Sequence, residues 1–307
     1  MSSLQLRPVT AGHWVAPNLR GTVAAVAGAT RGAGRGIAVS LGEAGATVYA
    51  TGRSVRGKPA TAGRSETIEE TAELVNARGG VGIAIRVDHT VEDDVKSLFE
   101  RIGREQNGRL DLLVNDVWGG DELTNWQQPF WEHSLRHGLL MQERAVWSHI
   151  ITSHYGAPLM IEQGQGLIIE ITDGNTYTYR GNLYYSLAKN SAIHLAEAMA
   201  ADLRPRRVTA LALTPGFLRS EAMLEHFGVT EPTWQEAAKQ DPHFIASETP
   251  FYVGRAVVSL AADPNVAAKT GKALTSWDLA DEYGFDDVDG RHPHWGRHYA
   301  EHVARGG

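Results

Sequence analysis

Short runs rich in β-branched and small apolar residues alternate with helix-length amphipathic segments along most of this chain. The runs are Thr22–Ala27, Ala46–Ala50, Val81–Val87, Leu110–Val114, Gly166–Ile171 and Val208–Leu213. Between them, helical periodicity passes through Ile37, Leu41 and Ala44, then Thr67–Ala77, Val91–Gln106, about Phe130 to Ile161, and Tyr184–Leu203. Thr67 and Glu70 have the spacing of a capping box. Parallel neighbours in a sheet need a long crossover, and a helix supplies it. The pattern therefore predicts an α/β fold: one Rossmann-type, doubly wound parallel sheet with helices on both faces. Ligands on such sheets bind beyond the carboxyl ends of the strands. The residues that follow each strand are thus the ones to read for chemistry.

Composition sets outer limits. The chain has 307 residues, 42% of them hydrophobic and 21% charged, which excludes a disordered or collagen-like chain and suits one large core. A net charge of −7 gives no electrostatic reason to bind nucleic acid or an anionic membrane. The absence of cysteine excludes disulfide scaffolds, thiolate zinc sites and cysteine nucleophiles. No apolar run has the length of a membrane span. The first twenty residues lack an apolar signal core, so the expectation is a cytoplasmic protein with an arm over residues 1–20, a main domain over 21–276 and an extension over 277–307.

After the first run comes Gly28-Ala-Thr30-Arg31-Gly32-Ala-Gly34-Arg-Gly36. A glycine turn between strand and helix exposes backbone N–H groups to a phosphate, and the helix N-terminus adds a favourable dipole. The second run ends in Gly52-Arg53-Ser54, and no acid stands between Ala44 and Ser65. An acid there would hold the ribose hydroxyls of an unphosphorylated dinucleotide, whereas a guanidinium suits a 2′-phosphate. Arg53, helped by Arg31, therefore points to NADP(H) in preference to NAD(H). Asp88, closing the third run, is placed to accept from the adenine amine, or simply to cap the following helix.

Tyr185 and Lys189 are four residues apart in a helical segment and so share one face. A free phenol, with a pKa near ~10, is a poor base at neutral pH. A neighbouring ammonium favours the phenolate, and a phenol so tuned can exchange a proton with a carbonyl or alcohol oxygen. Aromatic residues cluster after the strands: Trp118, Trp126, Trp131, Tyr177, Tyr179 and Phe217. Trp118, Tyr179 and Phe217 are the leading candidates to line a hydrophobic substrate. The polar stretch 217–250 reads as a lid. His292, His294, His298 and His302 near the C-terminus, the last two at helical spacing, read as a solvated or subunit-contact tail, and no metal site is assigned there.

Taken in order, the glycine turn at Gly28, Gly32 and Gly34, then Asp88, Asn115, Tyr185, Lys189 and Pro215-Gly216 make the chain resemble the short-chain dehydrogenase/reductase family. Tyr155-Gly-Ala ahead of Leu159-Met160 places the resemblance in one branch of it. The resemblance spans about Gly21 to Thr275. It implies seven parallel strands, a nicotinamide cofactor held in part by Asn115, Lys189, Pro215 and Gly216, and Tyr185 as proton donor or acceptor. It also implies a homodimer or homotetramer built through the long helices, and the tail could wrap a neighbouring subunit.

The pattern departs in two places. The family's serine after the fifth strand falls on Asp173, preceded by Thr172. Asp173 could donate to the substrate oxygen if apolar burial kept it protonated. Otherwise Thr172 or Thr176 supplies the hydroxyl and Asp173 shapes a turn. The family's helical asparagine falls near Ala145. The expected activity is an NADPH-dependent interconversion of a carbonyl compound and an alcohol. The competing expectation is a relative that binds the dinucleotide without turnover.

Overall fold

The computed structural model describes residues 14–303. Most of the arm expected over residues 1–20 lies outside the described residues.

Seven parallel strands form one sheet in the order β3-β2-β1-β4-β5-β6-β7. They are β1 (Val23–Ala27), β2 (Thr47–Gly52), β3 (Val81–Arg86), β4 (Leu112–Asn115), β5 (Gly166–Ile171), β6 (Val208–Thr214) and β7 (Ala273–Thr275). The helices are α1 (Gly32–Glu43), α2 (Ile68–Ala77), α3 (Glu92–Glu105), α4 (Leu135–Gln142), α5 (Ser148–Gln163), α6 (Leu183–Leu203), α7 (Glu221–His226), α8 (Pro250–Ala262), α9 (Ser276–Tyr283) and α10 (Trp295–His298). Alternate strand residues feed opposite faces. Ala24, Val26, Val48 and Val114 pack with Ile37, Leu41 and Val257 from α1 and α8. Val23, Ala25, Leu113 and Ile168 pack with Leu98, Phe99 and Met160 from α3 and α5. Each such side chain fully removed from water stabilises the fold by roughly 1.5–3 kcal/mol.

All six expected strands are present, with ends that coincide or shift by no more than two residues. β7 is too short to show a pattern of its own. The capping box forms by half: the Thr67 hydroxyl accepts from Glu70 N at 3.2 Å, while the Glu70 carboxylate turns to Arg35 at 2.8 Å. The long helical region starts at Leu135, where Ser134 caps it, and a π-turn over Glu143–Trp147 joins α4 to α5. Ala145 lies in that turn. π-Turns inside helices mark functional sites more often than chance.

Strand order reverses between β1 and β4, which opens a crevice at their carboxyl ends. Gly28 sits there with φ +91°, and a Cβ on it would stand 2.4 Å from the Asp116 carbonyl oxygen. Only glycine allows that approach.

The tail packs against its own chain. The boundary expected at residue 276 falls in α9, and the chain then folds back onto its own segment 217–250. The cause is a buried cation. Arg219 is fully buried, with its guanidinium 2.6 Å from Asp289 and 3.7 Å from Asp287 and stacked on Trp234 at 4.2 Å. A buried guanidinium requires carboxylate partners, and the tail supplies two of them. Segment 217–250 also has a small core of its own, made by Phe227, Trp234, Ala237 and Phe244. His292 pairs with Asp281 at 2.8 Å and Asp286 at 2.9 Å, and His298 contacts His243 at 3.1 Å.

Candidate active site

A cavity of about 1060 Å³ opens along the carboxyl ends of the strands. Single-ligand pockets run roughly 300–1,000 Å³, so it has room for a dinucleotide together with a small substrate. Of the expected residues, Gly28, Thr30, Arg31, Gly32, Arg53, Asp88, Trp118, Thr172, Asp173, Tyr179, Tyr185, Lys189, Pro215, Gly216 and Phe217 line it. Gly34 lies just behind, where a Cβ would meet the Gly28 carbonyl oxygen at 2.3 Å.

Three expectations change. Asn115 is fully buried in β4, and its amide donates to Glu170 Oε1 at 2.6 Å and to Ser153 Oγ at 2.9 Å. It is placed to brace the sheet beneath the cavity, not to touch a cofactor. The Thr172 hydroxyl, also buried, donates its proton to the Lys189 carbonyl at 2.7 Å and so has none to offer a substrate oxygen. Asp173 does not sit in an apolar pocket: its side chain is 51% exposed and 3.9 Å from Arg180. Trp126 packs edge-on against Tyr185 at 5.0 Å without lining the cavity, and Trp131 and Tyr177 lie on the outer surface.

Asn182 caps α6 and thereby sets the helical phase that brings Tyr185 and Lys189 to the cavity. Tyr184 instead turns to His133, with ring centroids 5.1 Å apart. The Tyr185 hydroxyl donates to Asp173 Oδ2 at 2.9 Å. Its ring lies edge-on to Trp118 at 5.4 Å, and the Lys189 ammonium sits over the Trp118 ring at 4.2 Å. Burial, then the Asp173 charge, holds the phenol well above its ordinary range. This is opposite to the shift expected from Lys189. The reason is geometric: Lys189 Nζ is 5.6 Å from the Tyr185 ring centroid, above Trp118, while the carboxylate touches the hydroxyl itself. Burial pulls the Lys189 pKa down, opposed by the charges of Asp173, Asp116 and Asp121.

Several site residues escaped the sequence reading. Asp116 accepts from the Gly34 backbone, and burial pushes its carboxyl up to about 7. Arg144, in the π-turn, donates to the Gly119 carbonyl at 2.9 Å beside Arg53. Both follow a simple signal, since Asp116 is the first residue after β4 and Arg144 flanks the family's asparagine position. Beneath them, Glu170 and His149 form a buried pair at 2.5 Å, and His149 Nε2 holds the Val117 carbonyl at 3.0 Å. A glutamate inside the apolar run Gly166–Ile171 was itself a signal, because a buried carboxylate needs a partner.

The residues present fit a nicotinamide dinucleotide. The turn is too tight for any side chain at Gly28 or Gly34, whereas a Cβ at Gly32 would meet nothing closer than Ser220 Cβ at 3.9 Å. The Gly32 N–H already faces an anion, the Glu221 carboxylate at 2.8 Å. The arginines at positions 31, 53, 64 and 144 all line the cavity, and Arg53 lies 3.9 Å from Asp88, which follows β3.

Comparison with known proteins agrees with this geometry. Residues 22–228 match the short chain dehydrogenase family. The chain is 38% identical over 280 residues to human dehydrogenase/reductase SDR family member 1, covering 90% of this chain and 86% of that protein. The branch read from Tyr155–Met160 is the branch of that human protein. Among solved structures, a short chain dehydrogenase from Mycobacterium thermoresistibile superposes with a TM-score of 0.74 at 21% identity, covering 91% of this chain and 93% of that one. A Beutenbergia cavernae protein described as an NAD(P)-dependent gluconate 5-dehydrogenase, with NADP bound at low occupancy, gives a TM-score of 0.66 at 23% identity, covering 84% of this chain and 96% of that one. The chain therefore belongs to the short-chain dehydrogenase/reductase family, whose members are NAD(P)-dependent oxidoreductases acting on a CH–OH or C=O group.

Proposed function

We propose that this protein interconverts a hydrophobic carbonyl compound and its alcohol with NADP(H), and that at neutral pH it works as a reductase. One observation carries the reading: the Tyr185 hydroxyl, Asp173 and Lys189 meet on the wall of the cavity that begins at the glycine turn. When bound, the nicotinamide supplies the hydride. Lys189 and the 215–216 turn both line the cavity and would hold the nicotinamide end of the dinucleotide, and Arg53, with Arg31 and Arg144 on the same cavity, favours a 2′-phosphate. Trp118, Tyr179 and Phe217 supply an apolar wall for the substrate.

Tyr185 keeps its proton because burial and Asp173 both disfavour the phenolate. A group that starts protonated is ready to donate, so carbonyl reduction is the direction the resting site serves. The substrate oxygen takes the place of Asp173 as acceptor of the Tyr185 hydroxyl, and the proton follows as charge develops on that oxygen. Asp173 thus stands in the serine's place as the tyrosine's partner, and Arg180 keeps it oriented. Segment 217–250 acts as the lid over this end.

NADPH and NADH are titrated against protein fluorescence, and a panel of aromatic and aliphatic ketones and aldehydes is followed at the reduced-cofactor absorbance. Tighter NADPH binding and turnover on at least one carbonyl are the expected results. Tight binding with no oxidation across the panel would support the non-catalytic reading, which the engaged Thr172 hydroxyl and Ala145 favour.

A further inference from the structure

The first turn of α1 carries no acidic residue, and its cap, Arg31, makes no side-chain hydrogen bond to it. The free N–H of Gly32 is met by Glu221 Oε2 at 2.8 Å, from a residue 189 positions later in the chain. One turn further along α7, Glu225 pairs with Arg64 at 2.7 Å, on the basic loop after β2. Ser220, Glu221, Ala222 and Met223 all line the cavity, and α7 itself buries no residue. Met223 and Leu224 rest half-buried on the small core of segment 217–250, while the two carboxylates tie the helix to the glycine turn and to the basic loop, both suited to a dinucleotide's phosphates.

We propose that Glu221 is a tethered stand-in for the pyrophosphate: it occupies the anion position at the α1 N-terminus and sets the affinity for the cofactor by competing with it. The inference rests on the dinucleotide reading of the glycine turn. A carboxylate and a pyrophosphate cannot share one N–H without strong like-charge repulsion in a partly buried crevice. Binding of the dinucleotide must then expel Glu221, and α7 with it. The start of the lid is released when the cofactor enters, so cofactor binding and access to the substrate wall are coupled. The same contact keeps the phosphate site of the free protein electrically satisfied.

The test uses the full chain, Glu221→Gln and Glu221→Ala. Glu221 is half-buried and belongs to no apolar cluster, so neither substitution opens the core. NADPH is titrated by fluorescence, inorganic pyrophosphate is used as competitor, and hydrogen exchange is read over residues 221–226. Both variants are expected to bind NADPH and pyrophosphate roughly three- to tenfold more tightly, the size of a charge effect at a helix terminus. In the unsubstituted protein, exchange over 221–226 is expected to rise when NADPH or pyrophosphate is added. Unchanged affinity in both variants, or unchanged exchange on binding, overturns the role of Glu221 and leaves the dinucleotide site standing. Failure of all three proteins to bind NADPH overturns the dinucleotide reading and this inference together.

Discussion

At the scale of single residues, the chemistry turns on which partner touches the Tyr185 hydroxyl. Spacing alone brings Lys189 to the same helix face, but Asp173 makes the contact and sets the direction of the pKa shift. Tyr185→Phe is expected to lower kcat about 10²- to 10⁴-fold with little change in NADPH affinity, as stopped-flow and fluorescence measurements would show. Asp173→Asn removes the neighbouring charge. The pH above which carbonyl reduction declines is expected to move down in that variant, while the parent stays active past the ordinary phenol value of 10.0. His89 gives a stability test. It is buried between the hydroxyls of Thr51 and Thr152, each 2.8 Å away, and burial pulls its pKa from 6.5 down to about 3. The unfolded chain takes up a proton below 6.5 and the folded chain does not. The stability of the neutral form is complete above 6.5 and declines as pH falls toward 3, by at most ~1.4 kcal/mol per pH unit. Urea unfolding of the parent and His89→Gln at pH 7 and pH 5 should show the larger loss in the parent.

At the scale of elements, glycines decide how closely helices approach. α1 crosses α8 at Gly36, where a Cβ would stand 2.2 Å from the Pro250 carbonyl oxygen, and at Gly254, where it would stand 2.3 Å from Ser40 Oγ. Gly36→Ala is expected to destabilise the fold by about 1–3 kcal/mol in chemical denaturation, despite a helix-propensity gain of ~1 kcal/mol. An unchanged midpoint would show that the two helices can separate freely. α8 itself went unread in the sequence, although Thr249 before Pro250 is a helix-start signal: Thr249 caps the helix and Pro250 needs no N–H at its first position. Strands β1 to β6 and the helices α1, α2, α3 and α6 were legible because short apolar runs of strand length alternate with longer segments of helical period. The π-turn between α4 and α5 was not, since the residues around Ala145 suit either helix type and only packing against α6 and Trp118 selects between them.

For the whole molecule, large apolar side chains remain exposed at helical spacing: Leu135, Leu139, Trp147 and Ile150 along α4–α5, and Leu183 and Leu187 along α6. We propose that this face pairs two copies of the chain. Light scattering is expected to give at least a dimer for the parent and a shift toward monomer for Trp147→Glu combined with Leu187→Glu; an unchanged mass in the double variant would place the interface elsewhere. Among the described residues no helix is long and apolar enough to cross a membrane. Local periodicity and fixed spacing along the chain specify six of the seven strands, their parallel sense, the glycine turn and the tyrosine–lysine face. Tertiary structure alone decided that Asn115 and Thr172 turn inward, that Asp173 meets Tyr185, that the tail returns to bury Arg219, and that Glu221 reaches Gly32. Each of those depends on groups distant in sequence being brought together, where burial obliges every charge and polar atom to find a partner that no local pattern specifies.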